Sequence, residues 1–142
     1  MRSRYVLFSA LYPPHMGGIE NFTYNLAHAL VDRGNEVLVV TNDTNGLGAG
    51  ITDEDGVGVL RLPCFPFFAG RFPVPKINAL SRNLWKRIEC QQLDGVLVNA
   101  RFYIHSLDGI RFAKSLRITP VVLDHGSAFL SFSTVSYTHL RA

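Results

Sequence analysis

The chain alternates between short apolar runs and longer segments in which apolar residues recur at helical spacing. The apolar runs cover residues 5–11, 36–41, 57–62, 93–99 and 119–124. Runs of this length without polar alternation are typical of strands that are buried on both faces, as in a parallel sheet. The pattern therefore predicts five strands separated by longer connections.

Three connections carry the periodicity of a helix. The first helix is predicted over residues 19–33, with an apolar face formed by Ile19, Phe22, Leu26, Ala29 and Leu30. The second is predicted over residues 76–91, with an apolar stripe of Ile77, Leu80, Leu84 and Ile88. The third continues over residues 107–116. Alternating strands and helices predict an α/β fold, a Rossmann-like, three-layer, doubly wound and mainly parallel sheet. We expect the strand order 3-2-1-4-5.

The loop between the first strand and the first helix is the chemically most informative stretch. Gly17 and Gly18 lie where the helix is expected to begin. A helix N-terminus exposes unpaired N–H groups and a partial positive charge, and glycine lets a phosphate approach the backbone closely. Pro13 and Pro14 stiffen the loop ahead of the glycines. Alone, a glycine pair is more typical of a plain strand-to-helix turn.

The glycine pair belongs to a longer pattern that resembles the start of a family 4 glycosyltransferase. The matching segments are Pro13-Pro14-His15-Met16-Gly17-Gly18-Ile19-Glu20, then residues 26–30 and 34–41, and later residues 99–102 and 125–127. Such enzymes pair two Rossmann-like domains in the GT-B fold. The resemblance implies transfer of a sugar from a nucleotide-diphosphate sugar to a glycan or lipid-linked acceptor hydroxyl. It also implies retention of configuration, with no metal and no other cofactor.

The resemblance and the expected topology bring the candidate site residues to one crevice. In a doubly wound sheet, ligands bind at the carboxyl ends of the strands, beside the point where strand order reverses. We predict His125 as the catalytic residue. The candidate substrate-binding residues are Gly17, Gly18, Arg101, Glu20, His15 and His105. A structural ion pair is the alternative for Arg101, helix capping for His125, and a favourable helix dipole for Glu20.

The resemblance also predicts the domain organisation. Residues 1–134 correspond to an incomplete N-terminal, acceptor-side domain, and we expect the C-terminal donor-binding domain to be absent from the 142 residues. Residues 135–142 show neither the apolar runs of the strands nor the helical spacing, and they resemble an adapter-derived scar. We therefore expect a non-native tail. Because the donor-gripping motifs of this family belong to the second domain, we expect the fragment alone to be inactive.

Composition limits the classes of binding partner and the cellular compartment that fit this chain. The net charge of +3 is too weak by itself to indicate nucleic acid. Cys64 and Cys90 lack metal-ligand spacing and fit a reducing cytosol. No apolar run reaches the length of a membrane span. The sequence therefore predicts a cytoplasmic protein, with the inner face of the membrane as the alternative.

Other segments have two interpretations. Residues 65–91 mix phenylalanine, proline and basic residues, which indicates either a peripheral contact with anionic lipid or an ordinary core-facing helix beneath buried aromatic rings. Residues 42–56 predict a flexible loop, because the glycines at 46–50 follow the wrong strand for a dinucleotide fingerprint. Residues 53–55 predict a solvated turn, with a metal site as the alternative. A Rossmann oxidoreductase and a non-catalytic sugar- or lipid-binding module are the alternative functions.

Overall fold

The computed structural model describes residues 3–14, 17–46, 48–67, 72–89, 91–99 and 104–123. Strands β1 to β8 cover Arg4–Ser9, Glu36–Asn42, Gly50–Glu54, Val57–Leu62, Cys64–Phe67, Phe72–Pro75, Gly95–Asn99 and Val121–Leu123. Helices α1 to α3 cover Gly18–Asp32, Ala79–Glu89 and Ile104–Ser115.

The main sheet confirms the predicted fold class. Within the described ranges it has six strands in the order β3-β4-β2-β1-β7-β8. The pairs are parallel except for β3 with β4, which is antiparallel. The strands expected from the apolar runs are β4, β2, β1, β7 and β8, and they lie in the predicted order 3-2-1-4-5. The chain leaves β1 toward β2 and later returns to β7 on the other side, so the strand order reverses beside β1.

Two apolar clusters fill the spaces on either side of the sheet. The cluster beneath α1 contains Leu7 and Val39, and the cluster beneath α2 and α3 contains Phe8, Leu60 and Phe112. Successive residues of a strand point to opposite faces of the sheet. The uniformly apolar strands therefore supply both clusters, and the domain has three layers of helix, sheet and helix.

The segment predicted as a flexible loop contains a strand, so that prediction was wrong for residues 50–54. β3 joins β4 through a two-residue turn at Asp55 and Gly56, whose φ angles are +55° and +88°. An Asp-Gly turn with positive φ at both positions matches the twist of two antiparallel strands. β3 is polar because it lies at the sheet edge, and an apolar pattern cannot reveal such a strand. The Asp55-Gly56 pair was the sequence signal for it.

A second hairpin lies where the sequence showed only aromatic and proline residues. β5 and β6 pair antiparallel, with Pro66 opposite Pro73 and Cys64 opposite Pro75. Antiparallel pairs alternate between those that exchange hydrogen bonds and those that do not, and proline has no N–H to donate. The two-residue spacing places these prolines on pairs of the same kind. The prolines therefore interrupt only alternate pairs, and a short ladder between β5 and β6 can still form.

Two predicted apolar faces differ from the observed ones. In α1, Phe22 and Ala29 are exposed, whereas the buried residues are Glu20, Thr23 and Ala27; the side chain of Ile19 lies outside the described part. Polar residues occupy this buried face because the face lies at the carboxyl edge of the sheet, where Thr23 forms hydrogen bonds with residues at the strand ends. In α2 the stripe is buried only at Leu84 and Ile88. Ile77 precedes the helix, which begins at Ala79, and Leu80 is exposed in its first turn.

Candidate functional site

The start of α1 is open to solvent at the carboxyl edge of the sheet. Gly17 is the N-cap residue, and its carbonyl oxygen accepts a hydrogen bond from the Asn21 N–H at 3.1 Å. A Cβ placed on Gly18 would meet no described atom within 4 Å. The first N–H groups of a helix lack intrahelical acceptors. The helix start can therefore offer donors and positive potential to an anionic or hydroxyl oxygen.

Glu20 folds back toward the helix start. It is 2% exposed, and both of its carboxylate oxygens lie 2.9 Å from where a Cβ on Gly17 would be. Glu20 is the third helical residue, from which a glutamate side chain reaches back to the N-cap. The absence of a side chain at Gly17 thus makes room for this carboxylate. The geometry favours the interpretation of Glu20 as a helix-start residue, and a direct contact with substrate stays a prediction.

A buried polar cluster joins the ends of two strands to α1. The Asn99 amide Nδ2 donates to Thr23 Oγ1 at 2.7 Å, and Thr23 Oγ1 donates to Ser9 Oγ at 3.1 Å. Ser9 Oγ in turn donates to the Leu11 carbonyl oxygen at 2.6 Å. Bonds of this kind fix orientation because unsatisfied buried groups are costly. The cluster sets the position of α1 against β1 and β7, where the strand order reverses.

A second polar group holds the loop that follows β1. The Arg61 guanidinium donates to Glu54 Oε2 at 2.6 Å and to the Pro13 carbonyl oxygen at 3.1 Å. The hydrogen bond from Arg61 lowers the pKa of Glu54. Burial, with a smaller contribution from the Glu54 charge, raises the pKa of Tyr12 in the same loop to about 12. Tyr12 is therefore a neutral phenol at physiological pH.

His105 does not face the crevice, contrary to the expected placement. It lies in the first turns of α3, fully buried, and its Nε2 lies 2.7 Å from the Val40 carbonyl oxygen. Burial lowers its pKa to about 4. Its ring lies 5.6 Å from that of Phe8, in the core on the α3 side of the sheet. A neutral ring without exposed surface supports packing, and substrate contact by His105 would need a different conformation.

The remaining candidates, His15, Arg101 and His125, lie outside the described residues. The strands that precede two of them end at the predicted edge, since β7 ends at Asn99 and β8 ends at Leu123. The roles of these residues stay predictions. The proposed tail over residues 135–142 also lies outside the described part.

Sequence reasoning missed the two polar groups that order this edge. Arg61 was visible as a lone cation inside an apolar run, and Ser9 was visible as a polar residue inside another such run. Asn99 ended the run 93–99 and began the family-like segment 99–102, but neither observation indicated its contact with Thr23. Thr23 gave no comparable signal, because its role depends on the contact between a helix and two strands.

Neither a metal centre nor a membrane span emerges from the described ranges. They contain no group of three or more histidine, cysteine or acidic residues that could hold a metal ion. None of their helices is both long enough and apolar enough to cross a bilayer.

Comparisons with known proteins agree with this architecture. The chain is similar in structure to sucrose-phosphate synthase from Thermosynechococcus elongatus, with a TM-score of 0.64 at 14% sequence identity. The similarity covers 92% of this chain and 35% of that one, so this chain spans about a third of its length. No curated protein sequence matches significantly. The family model for Glycosyltransferase Family 4 matches residues 16–141, which is most of the sequence. The chain therefore belongs to glycosyltransferase family 4.

Proposed function

We propose that this chain is the acceptor-side domain of a GT-B glycosyltransferase that moves a sugar from a nucleotide-diphosphate donor to an acceptor hydroxyl. The observation that carries the proposal is the open start of α1 at Gly18, where a Cβ added to the glycine would have no described atom within 4 Å. This opening lies at the carboxyl edge of the sheet, beside the reversal of strand order, where doubly wound folds bind ligands.

The chemistry of the transfer fits such an opening. The difficult step is departure of the diphosphate from a sugar that develops positive charge. A site therefore needs fixed donors for the leaving oxygens and alignment of the incoming hydroxyl. The N–H groups and dipole at the start of α1 supply part of this potential. Arg101 and His125 are the proposed further contacts, and the reaction is proposed to retain configuration.

We propose that a second domain makes most of the contacts that bind the nucleotide-diphosphate sugar. In that case the chain alone does not turn over a sugar nucleotide. The 35% coverage of the similar sucrose-phosphate synthase chain supports this arrangement. Purified chain and a longer reading frame would be incubated with a panel of nucleotide-diphosphate sugars, with release of nucleoside diphosphate as the readout. Turnover by the short chain that is lost in His125→Ala would contradict the two-domain proposal.

A lipid-linked acceptor is supported by the surface around the start of α2. Ile77 is 86% exposed, Leu80 and Phe65 are also exposed, and Lys76 Nζ lies 4.9 Å from the centroid of the Phe65 ring. Between α2 and α3 is a groove of about 350 Å³, lined in part by Ile77. Exposed apolar side chains combined with cations suit a contact with anionic lipid.

Vesicle flotation tests this contact. We expect the chain to float with phosphatidylglycerol-containing vesicles at low salt and not with pure phosphatidylcholine vesicles. Ile77→Ser should weaken the binding, whereas the matched control Val121→Ser, an exposed residue of β8, should not. Equal binding to both vesicle types, or equal loss in both variants, would count against a lipid surface at α2.

The transfer function itself is tested at Gly18 in the longer enzyme. A valine there would stand between the first N–H groups and an incoming oxygen, and loss of one such donor costs about 3–4 kcal/mol, or about a hundredfold or more in rate. The open space around Gly18 means that the fold should lose about 1 kcal/mol or less. Ala79→Val, at the first position of α2, is the matched control for valine in a first helical turn.

The two variants separate function from folding. We expect similar thermal midpoints for both and a large loss of turnover only in Gly18→Val. If Gly18→Val lowers midpoint and turnover together, the glycine is structural. If Gly18→Val keeps full turnover, the start of α1 does not face the reacting groups, and the proposed site is wrong.

A further inference from the structure

Arg61 is a buried cation in a row of apolar residues. Val57, Val59 and Arg61 lie on the same face of β4, because alternate residues of a strand share a face. The first two belong to the apolar cluster beneath α1, yet Arg61 is only 6% exposed. A buried arginine is costly unless its donors find partners. Its position thus requires an explanation beyond the packing of β4.

The guanidinium bridges two parts of the chain that are distant in sequence. Its Nη1 donates to Glu54 on β3 at 2.6 Å, and its Nη2 donates to the Pro13 carbonyl oxygen at 3.1 Å. Thr52 Oγ1 donates to the same Glu54 oxygen at 2.8 Å and so helps to hold the carboxylate. The hairpin of β3 and β4 therefore holds the Arg61 guanidinium in the position from which it reaches the loop after β1.

Pro13 is a point at which this loop needs an external anchor. Pro13 and Pro14 have no N–H groups, so neither residue can donate a backbone hydrogen bond. The carbonyl oxygen is the main-chain group by which Pro13 can be held, and Arg61 donates to it. The loop leads directly to Gly17 and Gly18. A displacement at Pro13 would therefore move the start of α1.

We propose that Arg61, held by Glu54, is a positioning residue that fixes the loop through Pro13 and thereby aims the N–H groups at Gly17 and Gly18 toward substrate. The identity of the substrate rests on the function proposed above, whereas the positioning of the loop does not. The planar guanidinium presents its N–H groups in a rigid fork, which lets one side chain serve a carboxylate and a carbonyl together. Lysine has a single ammonium group and cannot reproduce that fork.

Backbone order measured by ¹⁵N relaxation on the chain itself tests the proposal without any ligand. The reporters are the amides of Tyr12, Gly17 and Gly18, which flank the two prolines. In the Arg61→Gln variant we expect their order parameters to fall from about 0.85, typical of rigid backbone, to below about 0.6. The amides of β1 and β2 should keep their values.

The matched control is Arg4→Gln. Arg4 also pairs with a glutamate, Glu36, but at the amino edge of the same sheet and on the protein surface. We expect no change in the three loop amides in this variant. Arg61→Lys is the second test variant, to be used if Arg61→Gln does not fold. It should lower the order parameters of the same three amides.

Two results would overturn the proposal. One is a folded Arg61 variant in which the three loop amides keep wild-type order parameters. The other is a loss of order spread evenly over β1, β2 and the loop, since that pattern shows a purely structural role. In the longer enzyme, Arg61→Lys should lower kcat/KM by about a hundredfold, as expected for misplaced catalytic groups, with little change in thermal midpoint. An inactive wild-type enzyme would instead refute the proposed function and leave the relaxation result standing.

Discussion

Protonation of His105 should make the stability of this domain depend on pH in a specific window. The ring is fully buried, and its Nε2 lies 2.7 Å from the Val40 carbonyl oxygen, an arrangement that suits the neutral tautomer with hydrogen on Nε2. Nδ1 has no hydrogen-bond partner among the described residues. A proton added there would place a charge in the core without an acceptor. Burial therefore lowers the pKa of His105 to about 4.

The sign and size of the effect follow from this pKa. The unfolded chain has the ordinary pKa of about 6.5, so it binds the proton more readily than the folded chain does. The stabilisation from the neutral ring is fully present above pH 6.5 and is lost as pH falls through about 4. The difference between the two pKa values corresponds to about 3 kcal/mol. That is a large share of the stability of about 5–15 kcal/mol typical of a domain.

Urea unfolding between pH 7.5 and pH 4.5 measures the loss. For the wild-type chain the contribution of His105 to the slope should approach about 1.4 kcal/mol per pH unit within the window. His105→Gln should be less stable at pH 7.5 but should lack this contribution. The two proteins share all their carboxylates and differ only at residue 105, so the difference between their slopes isolates His105.

Equal slopes in the wild type and in His105→Gln would refute this reasoning. That result would mean that the folded domain accepts the proton at the cost of an ordinary histidine. The ring would then have to gain access to water, and the expected placement of His105 at the crevice would deserve a new test.

Two further substitutions test the contacts that position the helices. Gly109→Ala should destabilise the chain by about 1–3 kcal/mol in urea unfolding, because the new Cβ would lie 2.7 Å from Phe8 Cγ; unchanged or raised stability would show that α3 can shift freely. Thr23→Val should cost about 1–3 kcal/mol, because it removes the buried hydroxyl that bonds both Ser9 Oγ and Asn99 Nδ2; a neutral outcome would show that the cluster does not hold α1.

The sequence was sufficient to predict the sheet because its central strands are apolar on both faces. Each of the strands β1, β2, β4, β7 and β8 coincides with an apolar run, and the order follows from right-handed connections around β1. The start of α1 was predicted to within one residue, because the helical spacing begins at Ile19 and the helix begins at Gly18. These features depend on local composition and on topology, which a single sequence carries.

The remaining features depend on contacts between distant residues. β3 is a polar edge strand whose partner is β4, so its own residues carry almost no apolar signal. Thr23 is a polar residue of an amphipathic helix, yet it is buried because it forms hydrogen bonds with Ser9 and Asn99. His105 was placed by its distance from β7 along the chain, but the direction of its side chain is set by the packing of α3. Side-chain direction at an element end is therefore the least predictable part of the site.

The central position of β1 also affects the order in which the domain can form during synthesis. β1 precedes both of its partners along the chain, and β2 ends at Asn42, within about forty residues of the start of β1. Its other partner, β7, begins only at Gly95. Until that segment leaves the ribosome, one hydrogen-bonding edge of an apolar strand has no native partner, and exposed edges of this kind invite pairing with other chains. Slow translation between Asn42 and Gly95 should therefore increase misassembly of this domain, and an early chaperone contact at β1 should reduce it.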